Sequence, residues 1–172
     1  MKVQIIGGGN LGVAIALGLA QFSDDTKVTI TRRNVSAIQH LEEKGIFVSA
    51  DNLSGIADAD LIILTVKQYK IEAVLTQISQ LTTGKTIVSA VSGVTIATLQ
   101  QWTKNANPIV RVMPNIAVQF GESASCVSFA ANDSQAAQQV VALFEKLGTV
   151  PIIEEKLMDA ATVLGACGTA YA

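Results

Sequence analysis

The stretch Gly7-Gly8-Gly9-Asn10-Leu11-Gly12 decides the fold of this 172-residue chain. It follows a short apolar segment, Val3-Gln4-Ile5-Ile6, and precedes an apolar, helix-like run from Val13 to Phe22. The spacing G-x-G-x-x-G between a strand and a helix is typical of a turn that binds a dinucleotide pyrophosphate at the helix N-terminus. Gly7 is expected to permit the tight turn, Gly9 a close approach of the phosphates, and Gly12 packing of helix on sheet. The alternative is a glycine-rich turn with a purely structural role.

Strand and helix patterns alternate after this turn. The continuous apolar run Leu61-Ile62-Ile63-Leu64-Thr65-Val66 indicates a strand covered on both faces, as in a parallel sheet. Other strands are predicted at residues 27–31, 46–49, 86–90, 109–113, 124–129 and 150–153, with helical patterns between most of them. The sequence therefore predicts an α/β fold of the Rossmann type, with a doubly wound, mostly parallel sheet.

Composition excludes several classes of function. The net charge is −2 and no basic stretch exceeds Arg32-Arg33, which argues against nucleic-acid binding. His40 is the only histidine and Cys126 and Cys167 are the only cysteines, so neither a Ser-His-Asp triad nor a metal site is expected. Two distant thiols favour a cytoplasmic protein with reduced cysteines. No run approaches the ~20 apolar residues that span a membrane.

The character of the sequence changes at Glu154. Apolar and small residues then recur near helical spacing, at Leu157, Ala161, Leu164, Gly168 and Tyr171, without a signal that ends a helix. A helix this apolar normally packs against another surface. We therefore expect a nucleotide-binding domain over residues 1–153, and over 154–172 the first helix of a truncated helical domain through which copies of the chain associate.

The residues after the second predicted strand indicate which nicotinamide cofactor is preferred. An acidic residue about 20 positions past the glycines would bind the ribose 2′-hydroxyl of NAD. Thr31-Arg32-Arg33-Asn34 stands there instead. Because arginine is a good bidentate partner for phosphate, the sequence predicts NADP, with NAD less favoured. The alternative is two solvated surface arginines.

Further candidates stand where other predicted strands end, because ligands of open α/β sheets bind at the carboxyl ends of the strands. Lys67 follows one strand and could reach a phosphate or substrate, or could be a plain surface charge. Asn115 follows Pro114 and carries an amide suited to a nicotinamide or a substrate. Ser92-Gly93 after the fifth strand is either part of this site or a simple turn.

Four segments together resemble the pyrroline-5-carboxylate reductase family. They are Gly7–Gly12, Val66-Lys67, Val110-Arg111-Val112-Met113-Pro114-Asn115 and Glu154-Glu155-Lys156-Leu157-Met158-Asp159-Ala160, in matching order over nearly the whole chain. The resemblance implies a Rossmann domain followed by a helical domain that forms a dimer or larger ring. It also implies reduction of the cyclic imine 1-pyrroline-5-carboxylate to L-proline by hydride transfer from NAD(P)H.

The resemblance also implies the residues that contact the cofactor, with no catalytic side chain assigned. The residues that bind the pyrophosphate are Ile6, Gly7, Gly8, Gly9, Asn10 and Leu11, with Gly12 completing the motif. Arg32 and Arg33 lie near the 2′-phosphate. Asn52 corresponds to an asparagine at the adenosine end. Thr65, Val66 and Lys67 run along the cofactor, and Val91 and Asn115 lie near the nicotinamide.

Several segments depart from the family pattern. Lys67-Gln68-Tyr69 replaces K-P-Q, Val91-Ser92-Gly93 replaces A-A-G, and Gly165-Ala166-Cys167-Gly168-Thr169-Ala170-Tyr171 replaces S-G-S-G-P-A-Y. In the family, a later threonine-bearing segment holds the substrate carboxylate, and it falls outside these 172 residues. We therefore expect the chain to bind NADPH and to turn over pyrroline poorly. The alternatives are an F420-dependent NADP reductase, a hydroxyacid dehydrogenase and a non-catalytic NADP-binding protein.

Overall fold

A computed structural model describes residues 1–167 of the chain. Seven strands form one sheet in the order β3-β2-β1-β4-β5-β6-β8, parallel throughout except that β8 runs antiparallel to β6. Two further strands, β7 and β9, pair in a small separate sheet. The strands are β1 (Lys2–Ile6), β2 (Lys27–Thr31), β3 (Phe47–Ser49), β4 (Leu61–Leu64), β5 (Thr86–Ser89), β6 (Ile109–Met113), β7 (Ser123–Ala124), β8 (Cys126–Phe129) and β9 (Gly148–Thr149).

The order β3-β2-β1-β4-β5-β6 is that of a Rossmann fold, which confirms the predicted fold class. The chain reverses its direction of travel across the sheet between β1 and β4. The loops after these two strands therefore diverge and leave a crevice at the carboxyl edge of the sheet. In such sheets this switch point is where a dinucleotide binds.

The helices cover both faces of the sheet. They are α1 (Asn10–Phe22), α2 (Ile71–Thr82), α3 (Ile96–Trp102), α4 (Ser134–Glu145) and α5 (Met158–Ala161), with several short 3-10 helices between them. One core cluster joins α1 and α4 to residues such as Ile5, Ile63 and Val110. The other joins α2 and α3 to the alternate strand residues, such as Ile62 and Leu64. Because both faces are buried, β4 is apolar at every position.

Two predicted strands differ from the structure. The strand predicted at 124–129 is divided into β7 and β8, and β8 does lie at the edge of the main sheet. The strand predicted at 150–153 is wrong: β9 covers Gly148–Thr149, and Ile152 forms only an isolated bridge with Val127. Pro151 has no N–H to donate, although its carbonyl accepts a bond from the Val127 N–H at 2.9 Å.

Two predicted helices are also less regular than expected. The segment around Ile38 forms 3-10 helices over Val35–Ala37 and Gln39–Lys44. Near the C-terminus, a 3-10 helix at Glu155–Leu157 leads into α5, and a π-helix follows at Thr162–Cys167. The predicted helical positions Gly168 and Tyr171 lie outside the described residues. None of the helices within residues 1–167 is both long and apolar enough to cross a membrane.

Candidate functional site

The glycine turn is built on the last residue of β2. The N–H groups of Gly7 and Gly8 both donate to the carbonyl oxygen of Thr31, at 3.2 and 2.8 Å. Gly7 has a φ of +121°, which a residue with a side chain rarely adopts. The hydroxyl of Thr65, just past β4, donates to the Gly7 carbonyl at 2.7 Å. The turn is therefore fixed from both neighbouring strands, in the tight form that its sequence predicts.

Gly9 and Gly12 face opposite surroundings, although both belong to the motif. A Cβ on Gly12 would collide with the carbonyl oxygen of Gly7 and lie 2.7 Å from Thr65 Oγ1. Helix α1 consequently packs on the turn at a distance that only glycine allows. A Cβ on Gly9 would meet no atom within 4 Å. Gly9 thus leaves open space beside the backbone on the side where a ligand can approach.

The N-terminus of α1 is free to bind an anion. Its capping residue, Gly9, makes no side-chain hydrogen bond, and the first turn holds no acidic residue. The first N–H groups of a helix have no partner inside the helix, so those of Asn10, Leu11 and Gly12 remain as donors. They add to the positive end of the helix dipole, which favours a phosphate.

The two predicted phosphate-binding arginines follow β2, and Arg32 lies beside this turn. The Nη1 of Arg32 donates to the Gly8 carbonyl at 2.9 Å, which holds the side chain against the turn. Arg33 is exposed. Asn52 lies close by, since its Oδ1 accepts from the Thr31 hydroxyl at 2.7 Å and its Nδ2 donates to Gln77 at 2.9 Å. The structure therefore brings Arg32, Asn52 and the glycine turn together.

Residues after β4 lie on the other side of the switch point. Thr65 and Val66 are half-buried, whereas Lys67 is exposed. The next residue, Gln68, is one of the departures from the family pattern, and its Nε2 donates to the Gly93 carbonyl at 3.3 Å. This bond links the loops that follow β4 and β5.

Val91 and Asn115 follow β5 and β6. Val91 is buried, and its N–H contacts the Ser89 hydroxyl at 3.4 Å. The Asn115 amide is bound at both ends: Oδ1 accepts from the Ala117 N–H at 2.9 Å, and Nδ2 donates to the Gly165 carbonyl at 3.1 Å. Asn115 therefore caps a 3-10 helix (Ile116–Phe120) and holds the C-terminal segment. Neither bond is visible in the sequence.

A buried ion pair lies at the same edge, and the sequence pattern assigns neither of its residues to the site. Arg111 stands in β6 with its side chain 4% exposed, and its Nη1 lies 2.8 Å from Glu155 Oε1. Both residues belong to the segments that carry the family resemblance. An arginine inside an otherwise apolar strand is the available signal, because a buried guanidinium needs a partner.

The candidate site supplies backbone N–H and guanidinium donors that a dinucleotide can use. Within residues 1–167, no three metal-binding side chains lie together. Over the same residues, Asp25 is the one carboxyl group with a clearly altered pKa. It pairs with Lys146 at the C-terminal end of α4. Burial raises the pKa of the Cys126 thiol, which makes it less nucleophilic. Among residues 1–167, the groups that meet at the switch point can bind and orient a ligand.

Comparison with known proteins agrees with this geometry. Residues 2–93 match the family described as NADP oxidoreductase, coenzyme F420-dependent. Pyrroline-5-carboxylate reductase 2 of Dictyostelium discoideum is 33% identical over 189 residues, which span 99% of this chain and 63% of the relative. Pyrroline-5-carboxylate reductase of Methanosarcina acetivorans is also 33% identical, over 99% of this chain and 65% of its own. The resemblance inferred from the sequence is thereby confirmed.

Solved structures give the same result. A pyrroline-5-carboxylate reductase from Coxiella burnetii superposes with a TM-score of 0.88 at 25% identity, over 98% of this chain and 65% of that one. The reductase of Plasmodium falciparum, solved with NADP bound, has a TM-score of 0.86 at 27% identity, over 99% and 64%. The chain thus spans somewhat less than two thirds of the length of these relatives.

Proposed function

The chain belongs to the family described as NADP oxidoreductase, coenzyme F420-dependent, and from this premise we propose that it binds NADP(H) as the cofactor-binding part of a pyrroline-5-carboxylate reductase. The reaction is the reduction of 1-pyrroline-5-carboxylate to L-proline in proline biosynthesis. The observation that carries this proposal is the match to reductases of that name over 99% of the chain, at 33% identity.

A second candidate is an F420-dependent NADP reductase, which the description of the matching family favours. That match ends at residue 93, in the half of the chain that binds the nucleotide. The segments from Val110 to Asn115 and from Glu154 to Ala160 lie beyond it and resemble the pyrroline enzymes. We therefore place the imine reductase first.

The proposed cofactor site follows the crevice at the carboxyl edge. The pyrophosphate is placed on the open face of Gly9 and the free N–H groups of α1, and the 2′-phosphate between Arg32 and Arg33. The nicotinamide half then extends across the ends of β4 and β5. The proposed contacts are Ile6, Gly7, Gly8, Gly9, Asn10, Leu11, Gly12, Arg32, Arg33, Asn52, Thr65, Val66, Lys67, Val91 and Asn115.

The protein's part in the mechanism is to hold and orient the reactants. The dihydronicotinamide supplies the hydride, and the imine carbon is a good acceptor once its nitrogen is protonated. Val91 is buried just past the end of β5, and the bond from Gln68 to Gly93 fixes the loop beside it. Orientation of this kind accounts for much of the barrier lowering in such transfers, and it is the contribution that these residues make.

Assembly and domain organisation are further parts of the proposal. Residues 1–153 form the nucleotide-binding domain, and residues from 154 onward begin a helical domain through which copies of the chain associate. Val163 and Leu164 support this, because both side chains are exposed on the C-terminal segment. The cytoplasmic location expected from the cysteine content stays a prediction.

Calorimetric titration of the 172-residue chain with NADPH and NADH tests the proposal. We expect binding of both, with NADPH the tighter, and little turnover in a steady-state assay with 1-pyrroline-5-carboxylate. Absence of binding at millimolar cofactor would refute the assignment. Turnover equal to that of a full-length pyrroline-5-carboxylate reductase would show that these 172 residues suffice for the reaction. Reduction of F420 in place of the imine would favour the second candidate.

A further inference from the structure

Glu155 joins three parts of the chain at the carboxyl edge of the sheet. Its Oε1 accepts a hydrogen bond from Arg111 Nη1 at 2.8 Å and another from the backbone N–H of Ile96 at 2.7 Å. Arg111 belongs to β6, Ile96 is the first residue of α3, and Glu155 begins the C-terminal segment. A single carboxylate oxygen therefore ties the start of α3 to the sheet.

The charge of Glu155 is needed where it lies. Arg111 is 3% exposed, and its Nε has no hydrogen-bond partner within residues 1–167. A buried guanidinium is costly without a counter-charge, so the pairing with Glu155 is strongly held. The bond to Ile96 follows from that pairing, because the same oxygen makes both contacts.

The β5–α3 loop, residues 90–95, is fixed at two places as a result. Gln68 holds it through the carbonyl of Gly93, and Glu155 holds its far end through Ile96. Val94 lies between these two points and is buried, as is Val91, which precedes Gly93. A cavity of about 350 Å³ lies beside the loop, lined by Gly93, Thr95, Arg111, Glu155, Lys156 and Asp159.

The direction of the bound dinucleotide decides what this loop does. With the pyrophosphate at the N-terminus of α1 and the 2′-phosphate at Arg32, the adenosine half lies toward β2. The nicotinamide half must then cross the ends of β4 and β5, where the β5–α3 loop runs. We infer that Glu155 is a positioning residue for the nicotinamide half: it sets the β5–α3 loop through Ile96 and Arg111 without touching the cofactor.

This inference rests on the proposed function, and the test uses two nucleotides to separate the two. NADPH carries both halves, whereas 2′,5′-ADP carries only the phosphate and adenosine groups. In the Glu155→Gln variant, which keeps the shape but removes the charge, we expect the dissociation constant of NADPH to rise about tenfold. That is about the difference between a hydrogen bond to a charged acceptor and one to a neutral acceptor. The affinity for 2′,5′-ADP is expected to change less than about twofold.

Glu154→Gln is the matched control. Glu154 precedes Glu155 and pairs with Lys156 at 2.6 Å on the surface, where both side chains are about 70% exposed. The change removes the same charge one residue away and should leave both affinities unaltered. The fluorescence emission of bound NADPH gives a second readout, because it reports the surroundings of the dihydronicotinamide. We expect it to shift in Glu155→Gln and not in Glu154→Gln.

If Glu155→Gln does not fold, the double variant Arg111→Met with Glu155→Met serves instead, since it leaves no buried unpaired charge. The double variant has no acceptor for the Ile96 N–H, so it should weaken the binding of NADPH and not that of 2′,5′-ADP. Equal weakening of both nucleotides, or unchanged NADPH binding and emission, would overturn the inference while leaving the proposed function intact. Failure of the unaltered chain to bind either nucleotide would overturn the proposed function, and the inference with it.

Discussion

Alanine substitutions at Gly9 and Gly12 separate packing from ligand binding within one motif. In Gly12→Ala, the new Cβ meets a backbone carbonyl that cannot rotate away and also lies 2.7 Å from Thr65 Oγ1. Either α1 or the turn has to shift. We expect the free energy of unfolding to fall by about 3 kcal/mol, the upper range for overpacking. For a chain of this size, that lowers the melting temperature by about 6–12 °C.

Gly9→Ala is expected to behave in the opposite way. Its Cβ meets nothing within 4 Å, and its φ of −83° suits alanine. A small gain from the stiffer unfolded chain is offset by alanine's poorer capping, so stability should stay within about 0.5 kcal/mol. In the proposed complex, however, the methyl group would stand where we place the pyrophosphate. The loss of one charge-assisted hydrogen bond, about 1.5–3 kcal/mol, weakens NADPH by about 10- to 100-fold.

Both variants are measured by thermal unfolding without ligand and by calorimetric titration with NADPH, so each is the control for the other. A stable Gly9→Ala protein that binds NADPH as tightly as the unaltered chain would refute the placement of the pyrophosphate. An unchanged melting temperature for Gly12→Ala would refute the argument that helix–turn contact requires glycine there.

Four other substitutions test three separate features. Arg33→Ala should lower the affinity for NADPH by about 10-fold or more and leave that for NADH unchanged. Arg32→Ala should lower both affinities, because Arg32 also holds the glycine turn. Equal losses for both cofactors in titrations of Arg33→Ala would contradict this. The hydrogen bond and charge of Lys146, together with the hydroxyl of Ser23, lower the pKa of Asp25 from 3.8 to about 2. The pair therefore stabilises the fold above the pKa of the unfolded state, and this contribution is lost as the pH falls from about 4 to 2. Lys146→Met should return the NMR titration midpoint of Asp25 toward 3.8, and a midpoint still near 2 would disprove the cause. Leu164→Glu should raise the dissociation constant of self-association, measured by light scattering, by about 10-fold or more. The reason is that burying a leucine side chain contributes about 1.5–3 kcal/mol. Unchanged self-association would place the interface elsewhere.

The fold could be predicted because its determinants are local. The glycine spacing fixes the first turn, and the unbroken apolar run of β4 requires a strand covered on both faces. The predicted strand at 150–153 failed for a different reason. Its apolar residues do lie beside β8, but Pro151 cannot donate, and the chain makes isolated bonds with Val127 where a ladder was expected. Apolar patterning does not settle burial here, since Ile152 is exposed, and it is the hydrogen-bonding partner that decides whether a segment is a strand.

The places of the candidate residues in the fold were predictable, and their contacts were less so. Strand ends can be counted along the sequence, and the carboxyl ends of parallel strands meet at one edge of a sheet. The bond from Arg32 to Gly8 and the bond from Gln68 to Gly93 each cross about 25 residues of sequence. Such pairings depend on how loops settle on the finished sheet. An exposed arginine or glutamine has many possible partners, so sequence alone does not choose among them.

The buried Arg111 shows how far such reasoning can be taken. A charged residue within an apolar strand demands a partner, but three acidic residues, Glu154, Glu155 and Asp159, stand close together in the C-terminal segment. The structure selects Glu155, since its oxygen also reaches the free N–H of Ile96. Glu154 remains on the surface. Geometry selects Glu155, because the buried Arg111 guanidinium and the Ile96 N–H both lie within hydrogen-bond distance of its Oε1. Because that acceptor comes from the C-terminal segment, the loop beside the proposed nicotinamide position depends on residues that the nucleotide-binding motif itself does not contain.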